Sequence, residues 1–127
     1  MANVEIIFAE KSYEPGGSEY IPSFGDWIND GEFYRCDRLR SVFEFELSGN
    51  SPEIIAELAY AICNSYPEEL HVSFEYAPIV GAYRAGRNRS LSVGDIVKID
   101  GVAYIVANFG FKQVPDSALN GLDVVSS

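Results

Sequence analysis

The stretch Asp95-Ile96-Val97-Lys98-Ile99-Asp100-Gly101-Val102-Ala103-Tyr104-Ile105-Val106-Ala107 decides the fold class. Two runs rich in β-branched residues flank Asp100-Gly101, the strongest short hairpin signal, because both turn positions tolerate a positive φ. A two-residue turn sets Ile99 opposite Val102 and Val97 opposite Tyr104. Val97, Ile99, Val102, Tyr104 and Val106 then share one face, so register and hydrophobic pattern agree. A C-terminal β-hairpin over about 95–107 follows.

Strand signals continue on both sides. Beyond the bend at Gly110, Phe111 to Val114 reads as a third short strand. After Pro115 the chain turns small and polar, and 116–127 is expected to be a flexible tail. Upstream, Ser41 to Leu47 alternates: Val42, Glu44 and Glu46 face one way, Ser41, Phe43, Phe45 and Leu47 the other. Val4 to Ala9 reads as a further strand. Between these, Gly49-Asn50-Ser51-Pro52 announces a helix, with Ser51 placed to cap and Pro52 at the first helical position. Ile54, Ile55, Leu58, Ala59 and Ile62 fall on one helical face, and Pro67 ends the element, giving one main helix over about 52–64. Leu70 to Tyr83 reads as a short strand and a turn, broken near Pro78 and Gly81. The stretch from Tyr20 to Leu39 fits a loop or a short helical turn near Asp26. Its aromatics, Trp27 among them, are either core or interface. The expected architecture is a single α+β domain over 1–127, a small curved mostly antiparallel sheet with one helix packed on it.

Size and composition agree with that picture. A chain of 127 residues with 47% hydrophobic content is long enough for one core and too apolar for general disorder. No apolar run approaches the roughly 20 residues needed to span a bilayer. The segment Met1-Ala2-Asn3-Val4-Glu5 has neither the basic start nor the apolar centre of a signal peptide, so a cytoplasmic protein is expected. Cys36 and Cys63 stand far apart with no paired spacing, which fits two reduced thiols better than a disulfide scaffold or a zinc site.

Charge is unevenly spread. The formal net charge is -10. Glu5, Glu10, Glu14, Glu19, Asp26, Asp30 and Glu32 face only Lys11 in the first 32 residues, a local net of -6. Six of the nine basic residues are arginines in two clusters, Arg35, Arg38 and Arg40, then Arg84, Arg87 and Arg89. Arginine suits planar contacts with carboxylates or phosphates, so these clusters either bind a partner or neutralise acids within the fold.

Signals for catalysis are weak. The one histidine, His71, lies among Glu68, Glu69 and Glu75 and reads as a surface residue of an acidic loop. No serine sits in a strand–turn–helix elbow, and no phosphate-cradling glycine loop is present. Glu44 and Glu46 share one side of a strand, as exposed strand faces often arrange. No catalytic residue, cofactor or metal is expected, and the chain reads as a non-enzyme.

The segment Tyr83-Arg84-Ala85-Gly86-Arg87-Asn88-Arg89-Ser90-Leu91-Ser92-Val93-Gly94-Asp95-Ile96-Val97 concentrates arginines, hydroxyls and an Asn before a Gly-Asp turn. Such a concentration of guanidinium and amide groups suits phosphate or an acidic partner, or it defines the fold. With Tyr104, Gly110-Phe111 and Val114, the segment resembles the C-terminal signature of small uncharacterised proteins carried by actinobacterial phages and plasmids. It is also similar, more loosely, to the YodL-like domains of conjugative elements. The resemblance covers roughly residues 40 to 115 and implies no particular chemistry.

Three functions follow as expectations. The first is a phage- or mobile-element-encoded interaction protein that binds a host protein, with Glu14, Glu19, Asp26, Trp27, Asp30 and Glu32 as contact candidates. Its carboxylates would mimic the phosphates of a nucleic acid. The alternative is a small module for RNA or single strands, using Arg84, Arg87 and Arg89 on phosphates and Tyr83 or Tyr104 as a stacking platform. The net charge disfavours it. Self-association through an exposed strand edge is a third possibility.

Overall fold

The computed structural model describes residues 1–13, 34–92, 94–106, 110–114 and 124–126, with the side chains of 1–8, 39–92, 94–106 and 110–113. Its strands are β1 (Ala2–Tyr13), β2 (Tyr34–Leu47), β3 (Ile96–Ile99), β4 (Val102–Val106), β5 (Phe111–Val114) and β6 (Val124–Ser126). Its helices are α1 (Pro52–Cys63) and α2 (Ala77–Ala85), the second entered through a 3-10 turn at Phe74–Tyr76. The described strands form one sheet in the order β5-β4-β3-β1-β2-β6. Neighbours from β5 to β2 run antiparallel, and β6 adds to β2 in parallel. The fold is α+β, as the sequence leads one to expect.

The hairpin has the expected register, Ile99 opposite Val102 and Val97 opposite Tyr104. Asp100 and Gly101 take φ of 47° and 85°, the paired positive values that a tight hairpin turn requires. The Asp100 carboxylate also accepts from the Asn3 amide at 2.8 Å, tying the turn to the start of β1. β1 and β2 are longer than the sequence suggests. Their pairing slips between Ile6 and Ile7, where Phe43 faces Ile6 and Ser41 faces Ile7, leaving Val42 as the extra residue of a bulge. The bulge corrects the simple alternation over 41–47. Ser41 crosses to the face of Glu5, to which its hydroxyl donates at 2.6 Å, while Val42 packs with Phe43 against the core.

α1 starts as expected, with the Ser51 hydroxyl accepting from the Ile54 amide and Pro52 in the first turn. Its Ile55, Ala56, Ala59, Ile62 and Cys63 are buried with Val4, Ile6, Phe8, Val97 and Ile99 of the sheet. Ile7, Leu39, Ile96, Ala103 and Ile105 are buried as well. Cross-strand pairing of Ile7 with Ile96 and of Ile96 with Ile105 puts these on the opposite face. Apolar burial on both faces explains runs such as Ile6-Ile7-Phe8, where alternation is lost.

The helical count needs correction. Leu70 to Tyr83 holds no strand; it holds the 3-10 turn and most of α2. Pro78 was expected to break the chain, but it lies in the first turn of α2, where its missing N–H is not needed. Gly81 lies inside the helix, and a Cβ there meets nothing within 4 Å. Gly81→Ala is therefore expected to stabilise the fold by about 0.5–1 kcal/mol, since alanine fits and loses less backbone freedom on folding. A higher midpoint in urea with an unchanged slope is the result to look for. In the expected tail, Val124–Ser126 pair with Leu39–Ser41 of β2; the rest of 116–127 lies outside the described residues. No helix among the described residues is long and apolar enough to cross a membrane.

Candidate functional site

The segment from Tyr83 to Asp95 runs from the last turns of α2 to the entrance of β3, and several of its polar side chains are engaged by other groups of the fold. The last carbonyls of α1 have no partners within the helix. Arg84, on the neighbouring helix, supplies the one on Cys63 and the Ser65 carbonyl just past the helix end. Its Nε donates to the Ser65 carbonyl at 2.8 Å and one terminal nitrogen donates to the Cys63 carbonyl at 2.9 Å. That nitrogen also reaches the Ser90 hydroxyl at 2.8 Å, and the other donates to the Asn88 carbonyl at 3.0 Å. The guanidinium lies 3.8 Å above the Tyr66 ring. A planar fork with several donors suits this arrangement, and cations suit a helix C-terminus.

Arg89 is held in the same manner by an acid. Its two terminal nitrogens contact the two oxygens of Asp95 at 2.6 and 2.9 Å. Asp95 is fully buried, while the Arg89 side chain is 45% exposed. The carboxylate also accepts from the Ser92 amide at 2.9 Å. Arg89 lies 4.0 Å above the Phe8 ring, so the pair is pinned to the centre of β1. Around it, the Asn64 side chain accepts from the Leu91 amide, the Asn88 side chain donates to the Tyr83 carbonyl, and the Tyr83 hydroxyl donates to the Arg89 carbonyl. Gly94, at φ 97°, lets its amide reach the Val106 carbonyl at 2.8 Å. Asn88 to Asp95 thus clasps α1, α2 and the β3–β4 hairpin together. Of the three expected phosphate contacts, Arg84 and Arg89 belong to this clasp. Arg87, at φ 59°, is exposed.

The stacking candidates have structural positions too. Tyr83 is fully buried and packs edge-on against Phe43 with ring centroids 5.4 Å apart. Tyr104 is half-buried against the core. Burial pushes the Cys63 thiol up to about 12 and the Tyr83 phenol well above its usual range. Both groups stay neutral in the fold and ionise more readily once unfolded. Stability is therefore complete below the ordinary thiol value of 9.0 and falls as pH rises past it, then more steeply past 10.0 for the phenol. Urea midpoints measured from neutral to strongly alkaline pH should fall accordingly, with a shallower fall in Cys63→Ala.

A different surface is open. α1 carries a second apolar stripe, Ile54, Leu58 and Ala61, at i, i+4 and i+7. It faces Leu70, Val72 and Tyr76 across a shallow groove of about 820 Å³. Sequence periodicity places Ile54 and Leu58 in the core. In the structure Ile54 is 49% exposed and Leu58 only half-buried, because the buried stripe is rotated toward Ala56 and Cys63. Glu57 and His71 stand in the groove walls. His71 is exposed, as expected, and Phe74 beside the groove is 83% exposed. The apolar positions of α1 are too many for one buried face, and that excess is the signal by which sequence alone would have found the groove.

Glu44 and Glu46 are exposed on β2, as expected. Among the described residues no group of three His, Cys, Asp or Glu stands together as a metal site would require. The candidates Glu14, Glu19, Asp26, Trp27, Asp30 and Glu32 lie outside the described residues, as do the side chains of Arg35, Cys36 and Arg38. Comparisons with protein-family models, with curated proteins and with solved structures find no match to this chain.

Proposed function

We propose that this chain is a non-enzymatic interaction protein that binds another protein and alters its activity. The observation that carries this reading is the fate of the arginines. Arg84 and Arg89 are engaged by carbonyls and by a buried carboxylate, which leaves an exterior rich in carboxylates with an open apolar groove. Polyanions are repelled by such a surface, whereas a protein with basic and apolar groups is attracted. The resemblance of residues 40 to 115 to proteins of actinobacterial phages and plasmids makes a host protein in the host cytoplasm the partner in this reading. The acidic residues from Glu14 to Glu32 would add a further run of carboxylates, as in a mimic of nucleic acid.

Affinity capture of the tagged chain from actinobacterial lysate, with and without nuclease, tests the reading. A stoichiometric protein partner that survives nuclease is the expected result. Recovery that vanishes with nuclease would overturn it and return the function to single-strand binding.

A further inference from the structure

We propose that the groove between α1 and the 70–76 segment receives a basic amphipathic helix of the partner protein. This rests on the protein-interaction reading and names the chemistry of the partner. Three observations carry it. Ile54, exposed, and Leu58 and Ala61, both half-buried, repeat at helical spacing on α1 and line the groove, the pattern against which another helix packs. The opposite wall, Leu70, Val72 and Tyr76, is apolar as well, so a helix laid between the walls buries an apolar face on both sides.

The third observation is charge. From Ser41 to Tyr83 the chain has seven glutamates and no lysine or arginine. Glu57 stands in the groove wall, and Glu53 lies one turn before it on α1. Glu68 and Glu69 precede the opposite wall, Glu75 follows Ser73, and all five carboxylates are exposed. Lysines and arginines flanking the apolar face of an incoming helix meet this rim. A second copy of the chain would bring the same carboxylates against it, and anionic lipid or nucleic acid would be repelled.

The test titrates the full chain with a synthetic leucine–lysine peptide of about 16 residues, amphipathic as a helix, long enough to span several turns. A scrambled peptide of the same composition is the control, and amide resonances report the site. Micromolar binding of the amphipathic peptide alone is expected, with shifts centred on Ile54, Leu58 and Val72. Ile54→Lys removes apolar contact and adds repulsion at a half-exposed helical position, so the variant stays folded, as circular dichroism will show. It should bind at least about tenfold more weakly, the loss typical of a central apolar contact. Equal binding of the scrambled peptide, or unchanged affinity in Ile54→Lys, would overturn the proposal. A nuclease-resistant partner that binds wild type and Ile54→Lys alike would leave the interaction reading standing and remove the groove from it. Loss of every nuclease-resistant partner would remove the reading itself.

Discussion

Arg84→Ala is expected to lower folding stability by about 3–4 kcal/mol, a large share of what a domain of this size possesses. Four hydrogen bonds leave with the guanidinium, three of them to the carbonyls of Cys63, Ser65 and Asn88. Acceptors left without a donor in a partly buried site lose more than the mean value of a hydrogen bond. The stack on Tyr66 is lost as well. Urea unfolding should show a lower midpoint at unchanged slope. Arg84→Lys should recover only a small part, because an ammonium on a flexible stem cannot hold the positions of the fork. A residue whose task was to contact a ligand would behave otherwise: its alanine variant would be as stable as wild type.

The second large effect belongs to the pair of Arg89 and Asp95. Arg89→Ala leaves a fully buried carboxylate without the guanidinium that contacts both its oxygens. Breaking a buried pair from one side typically costs 3–5 kcal/mol. Because the Arg89 side chain is 45% exposed, water will soften the loss, and about 3 kcal/mol is expected. The effect depends on the negative charge at Asp95. In an Asp95→Asn background, where that charge is absent, Arg89→Ala should cost less than about 1 kcal/mol. Equal losses in the two backgrounds would mean that Arg89 acts through Phe8 or the loop and not through the carboxylate.

Local signals made part of this fold legible. The hairpin followed from Asp100-Gly101 between alternating residues, and α1 from Ser51-Pro52 before a helical period, because turn chemistry and capping act over a few residues. α2 is not legible in the sequence because Pro78 and Gly81 resemble breakers when taken singly. Pro78 falls in the first turn, and Gly81 lies where no neighbour demands a side chain. The bulge at Val42 was hidden because alternation within one strand carries no information on the register of its partner.

The arginines show the same limit on the side of function. Their clustering is visible, but two of the four Arg84 acceptors lie 19 and 21 residues away, at the end of a helix whose packing only the fold reveals. A closer clue was available for Arg89. Arg89 and Asp95 bracket a short loop at a spacing of six, and an acid directly before an apolar strand is placed for burial. The acidic stretch Glu14 to Glu32 stays a matter of sequence, since it lies outside the described residues.

The proposal that the chain recognises protein goes with an arginine segment that builds the fold. Its most direct test is a titration of the wild-type chain and Arg87→Ala with a labelled mixed-sequence single-stranded RNA, at low and physiological salt. Among the three candidate arginines of this segment, Arg87 is the one the clasp does not use. Neither chain is expected to bind RNA saturably, even at low salt where phosphate contacts are strongest. Saturable micromolar binding that weakens with salt and is lost in Arg87→Ala would contradict the proposal.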